Sequence, residues 1–84
     1  MFIPTLTPLR NLASPSGLAV APDGRLYVTE EGNGQVSRIG DDGKPVVLAE
    51  GLGAARALLF IDDRTLLVSD RRGGAVWKIT LPSR

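Results

Sequence analysis

The sequence predicts an all-β chain carrying two four-stranded β-propeller blades. Two observations carry that prediction. A 40-residue unit occurs twice without a gap, and each copy alternates short β-rich runs with turn residues. The shift by 40 pairs Leu18 with Leu58, Leu26 with Leu66, Val28 with Val68, Val36 with Val76 and Ile39 with Ile79. Turn residues follow the same shift: Asp23 pairs with Asp63, and Gly34 with Gly74.

In the first copy, residues 17–21 (GLAVA) form an expected strand that ends at Pro22, Asp23 and Gly24. Proline presets φ there, and glycine accepts a positive one. Residues 25–29 (RLYVT) follow with aromatic and β-branched content, then a polar loop at 30–34, and a third strand at 35–39. A turn at 40–43 leads to a fourth strand at 45–49. The second copy gives strands at 57–61, 65–69 and 75–80, with a glycine-free turn at Asp62, Asp63 and Arg64. The one helix-like stretch, residues 53–59, is too short and opens on glycine. A β-sandwich, the alternative, predicts no internal repeat. Four short antiparallel strands every 40 residues is the period of a propeller blade.

Composition narrows the function classes. The 84 residues make one small domain, 43% hydrophobic and 23% charged, as in ordinary globular proteins. A net charge of +1 supplies no field to recruit nucleic acid. With no cysteine there is no disulfide framework or thiolate metal site, and with no histidine the commonest general base is missing. No basic, apolar leader opens the chain, and no run approaches the roughly 18 apolar residues of a membrane span. A soluble, cytoplasmic protein with no membrane or nucleic-acid partner is expected.

The run from Pro15 through Gly17, Ala19, Pro22, Gly24, Tyr27 and Val28, followed by Glu30 and a Gly/Asn-rich loop, resembles a blade of the NHL-repeat propellers. It is also similar to blades of gluconolactonase and strictosidine-synthase-like propellers. The resemblance is strict in the first copy and looser in the second, where Arg56 and Ala57 replace Ser16 and Gly17. It implies the fold firmly and the function poorly, since such blades serve hydrolases, lyases and protein or RNA binders. Enzymes of these families hold metal ligands or catalytic acids at one end of the central channel. Glu30 and Asp70 match the acidic position after the second strand, and Asn33 lies in the polar loop. The families' ligands sit on non-equivalent blades, which identical subunits cannot reproduce. No catalysis, cofactor or metal is therefore expected.

Residues 5–10 align with 45–50, so residues 3–10 read as an outermost strand, where Pro4 and Pro8 are tolerated. The expected organisation is one two-blade module over residues 1–84. Residues 17–50 form blade one, and 57–80 form blade two without its outer strand. An unpaired edge at 75–80 and uncovered blade faces are aggregation liabilities unless a partner covers them. Another copy can supply what is missing: Thr5, Leu6, Thr7 and Leu9 would pair with Val76, Trp77 and Ile79 of a neighbour. Head-to-tail closure then makes a homo-oligomer, six-bladed as a trimer, with an eight-bladed tetramer second. Ends so near a two-repeat unit point to a complete chain, the rival being a segment of a longer propeller.

The expected function is a self-assembling scaffold module, natural or engineered. The alternative is a glycan- or peptide-binding propeller using a charged rim of Glu30, Glu31, Asn33, Asp70, Arg71 and Arg72, with Ser14, Ser16, Gln35 and Arg56 beside them. A metal-dependent lactonase-like enzyme stands last. Bland roles compete at each position. Glu30 and Asp70 are expected to bond loop amides, Glu31 to pair with Arg71 or Arg72, Trp77 to pack between blades, and Tyr27 and Phe60 to be core.

Overall fold

The structure is a computed structural model that describes residues 8–82. Its described residues are all-β: β1 (Pro15–Val20), β2 (Leu26–Glu30), β3 (Gln35–Ile39), β4 (Pro45–Ala49), β5 (Ala55–Phe60), β6 (Thr65–Asp70) and β7 (Ala75–Thr80). They form an antiparallel four-stranded meander, β1 to β4, and a three-stranded one, β5 to β7. The inner strands begin two residues before the expected starts, at Pro15 and Ala55, and a register irregularity follows each start. Most of the expected outer strand at 3–10 lies outside the described residues, including Thr5, Leu6 and Thr7. Its described part, residues 8–10, forms no strand.

Pleating decides which side of each sheet is buried. The register joins Gly17 to Thr29, Ala19 to Tyr27 and Thr29 to Val36, so these five share one face of the first sheet. That face meets the second sheet, whose register places Leu58, Phe60, Leu66, Val68 and Ile79 on the side turned toward it. Val36, Leu66 and Val68 are fully buried there, each worth about 1.5–3 kcal/mol in transfer from water. Tyr27 and Phe60 meet edge to face at 4.8 Å and 71°, a geometry that adds about 0.5–1.5 kcal/mol. Both are core, as expected.

The two inner turns reach the same connection by different chemistry. In the first, Gly24 takes φ 90° while Asp23 Oδ1 accepts the Arg25 amide at 3.0 Å. In the second, Asp62 Oδ1 accepts the Arg64 amide at 2.9 Å and Ile61 N–H reaches the Thr65 carbonyl. No residue between Ile61 and Arg64 has a positive φ, so the missing glycine costs nothing.

Candidate functional site

The polar rim lies where the loops entering β1 and β5 meet the loops leaving β2 and β6. Glu30, last in β2, is buried, and both its oxygens are engaged. Oε1 accepts the Ala13 amide at 3.1 Å, while Oε2 accepts Gln35 Nε2 at 3.0 Å and the Ser37 hydroxyl. Burial pushes this carboxyl up, but the hydrogen bonds from Ser37, Ala13 and Gln35 outweigh it and hold the group below its ordinary range. Asp70 does the same work in the second sheet. Its Oδ1 accepts the amides of Gly73 at 2.9 Å and Ala54 at 3.1 Å, and its Oδ2 accepts Trp77 Nε1 at 3.4 Å. The Gly73 amide is the main cause of its lowered pKa. Burial opposes it, and Ala54, Trp77 and the Arg72 amide assist.

Each acid therefore ties the entry of an inner strand to the exit of the next one. Loop closure is the role weighed above for Glu30 and Asp70. Neither carboxylate faces the solvent as a ligand group, and among the described residues no three acids gather into a metal-sized cluster.

Glu31 lies between the sheets, 3.2 Å from Arg71 Nη2 and 3.7 Å from Arg56 Nη1. The Arg71 partnership was expected; Arg56 was placed on the rim without a partner, and Arg72 makes no ion pair among the described residues. Such partly exposed pairs contribute about 0–1 kcal/mol. Asn33 is exposed on the loop, where its backbone N–H donates to the Glu30 carbonyl. Trp77 departs from expectation. Its pairing with Val68 puts it on the face turned toward the first sheet, but on β7, the outermost strand of that sheet among the described residues, it stays 41% exposed. Val76 is also exposed, Ile79 is half-buried, and exposed Leu9 approaches the β3–β4 turn at Gly43.

The joint between the sheets uses residues whose role the sequence reading missed. Thr29 Oγ1 donates to the Arg56 carbonyl at 2.6 Å, Ser16 Oγ donates to the Ala55 carbonyl at 2.9 Å, and Leu52 N–H reaches the Gly34 carbonyl at 2.9 Å. The available signal was Thr29, a hydroxyl on the apolar face that also holds Tyr27 and Val36. At the other end, a cleft of about 540 Å³ opens between the sheets, lined by Tyr27, Arg38 and Leu48 on one side and Arg64 and Leu81 on the other. Among the described residues β4 has no counterpart in the second sheet; Leu48 stays exposed at this cleft, and Val46 and Val47 are exposed along the same strand.

Two stacked antiparallel meanders with a shared 40-residue register define consecutive β-propeller blades. Residues 12–39, most of the first blade, match the NHL repeat family. Among solved structures the chain is similar to virginiamycin B lyase from Staphylococcus aureus, crystallised with selenomethionine. The TM-score is 0.56 and the identity 21%, over 82% of this chain and 27% of that one. That likeness concerns the fold, and this chain spans about a quarter of the lyase's length. Comparison with curated proteins gives no sequence match.

Proposed function

We propose that this chain is a self-assembling propeller module whose two blades are joined head to tail with those of further copies. One observation carries the reading: the outward face of the second blade is the repeat equivalent of the face that the second blade covers on the first. Val36 is 0% exposed and its counterpart Val76 is 67% exposed. Tyr27 and Thr29 are buried, while their counterparts Leu67 and Ser69 are only half-buried. The complementary face is open too. Leu18 is 69% exposed and Val20 63%, whereas their equivalents Leu58 and Phe60 pack into the core. Val28, on that same side of the first blade, is buried already.

Copies added on either side, first blade against second, cover the two faces with the equivalents of the surfaces joined inside the chain. Residues 3–10 of a neighbour, carrying Thr5, Leu6, Thr7 and Leu9, then add the fourth strand to the β7 edge beside Val76, Trp77 and Ile79. Three chains give a six-bladed homotrimer, and four give eight blades. The module's own work on this reading is ring closure, without catalysis. Light scattering on dilute protein should return three times the 8.9 kDa chain mass. A folded single-chain species at micromolar concentration would remove the proposal, leaving blades supplied by a longer chain.

The cleft favours a second reading, a binding module for a glycan or an acidic peptide. It sets Arg38, which has no ion pair among the described residues, beside Tyr27, Arg25 and Arg64, with Asp23 and Asp63 on the same lining. Calorimetric titration with an oligoglutamate peptide should show binding that Arg38→Ala removes. Absence of heat at millimolar peptide would end this alternative.

A further inference from the structure

The joint between the blades inside the chain depends on a backbone approach that the chain does not repeat. Gly17 lies so close to the Arg56 carbonyl oxygen that a Cβ at that position would overlap it. One repeat later the position belongs to Ala57. If another copy's first blade covered the second blade just as the second covers the first, its Ser16 carbonyl would fall where the Ala57 Cβ stands.

Two further differences sit at the same place. Gly17 is in the ladder opposite Thr29, whereas Ala57 falls inside the register irregularity between Ala55 and Leu58. Thr29 Oγ1 reaches across the joint to the Arg56 carbonyl, while Ser69, its equivalent, accepts the Ala57 amide within its own blade at 3.0 Å. The apolar surroundings of the position are kept: Leu59, Leu67 and Val76 line a shallow hollow around Ala57 and Ser69.

We propose that the seam between copies is a different joint from the one inside the chain. The Ala57 methyl group holds the two inner strands further apart there and makes Ala57 the residue that sets the seam's strength. The partner is a second copy of this chain, offering Leu18 and Val20 to the hollow. This inference rests on the head-to-tail reading above. It gives the assembly tight joints within chains and looser ones between them, so rings come apart into intact two-blade units.

The test follows the concentration at which the assembly dissociates, read by light scattering on serial dilutions of the full chain. Ala57→Gly should lower that concentration about tenfold, the effect expected from removing one overpacked methyl group. Ala57→Val should raise it by a similar factor. Gly17→Ala should instead lower the melting temperature of the chain itself, because the tight joint is internal. An assembling wild type whose dissociation concentration is unmoved or raised by Ala57→Gly would overturn the seam proposal alone. If Ala57→Gly fails to fold, an unmoved value for Ala57→Val does the same. A wild type that never assembles would overturn the head-to-tail reading and this inference with it.

Discussion

The two blades read almost the same sequence pattern and meet different fates. β1 to β3 and β5 to β7 share their register at a 40-residue offset, and Glu30 and Asp70 tie equivalent loops. Yet Val36 is sealed and Val76 is open. A repeat specifies which face of a blade is apolar; a neighbour decides whether that face is buried. Neither blade can bury both its faces alone, which is the general condition of repeat architectures.

The comparison breaks most completely at the terminus. Removing residues 1–10 should abolish assembly, leaving single chains by light scattering, because the second blade then has no fourth strand to receive. A truncated chain that keeps the full mass and melting temperature would contradict the strand-exchange account.

A paired substitution sharpens the contrast in the cores. Leu66→Ala empties a fully buried site and should cost about 2–5 kcal/mol in chemical denaturation at any protein concentration. Its equivalent Leu26→Ala, half-buried in the single chain, should cost less in dilute samples and approach the Leu66 value where the assembly forms. Equal costs at all concentrations would mean that no copy covers the first blade.

The loop acids predict a shared pH response. Both carboxyls have folded-state pKa values below their ordinary ones. Their stabilisation is therefore present above the unfolded pKa, near about 4, and is lost as pH falls through the lower folded values. Thermal melts should show the wild type losing stability below about pH 4. Glu30→Gln and Asp70→Asn should each melt lower at pH 7 and lose less on acidification. A variant with an unaltered acid limb would show that its carboxylate does not hold the loop.

Most of this architecture was legible because it depends on periodicity. Strand positions, the Tyr27 and Phe60 core and the turn at Asp23 and Gly24 follow from alternation and turn chemistry, and the repeat located the open β7 edge. The joint at Gly17, Thr29 and Arg56 was not legible, since contacts between sheets follow from stacking geometry rather than from spacing along the chain. Trp77 misled for a related reason: a large ring in a strand suggests a core, but this strand is an edge. At the rim the acids were found. The cleft at the other end, beside Tyr27 and Arg38, is made by residues from both sheets and leaves no local motif.

The smallest effect belongs to the rim charges. Glu30 is taken up by its own loop, which leaves Glu31, already paired with Arg71 and Arg56 inside the chain, as the rim acid that a neighbouring copy's Arg71 can also meet. Glu31→Lys should slow assembly at low salt and recover at high salt, with an equilibrium change under about 1 kcal/mol. An unchanged rate at low salt would show that the Glu31–Arg71 contact has no part in docking.

Amide hydrogen exchange on β3 and β7 at high protein concentration tests the central claim most directly. β3 is paired on both sides within its blade, while β7 is the edge of a three-stranded sheet. If other copies complete the second blade, the outward amides of β7 should be protected to the level of those in β3 and lose that protection on dilution. Fast exchange along the outward side of β7 at every concentration would show that no strand is added there, and the assembly account would fail.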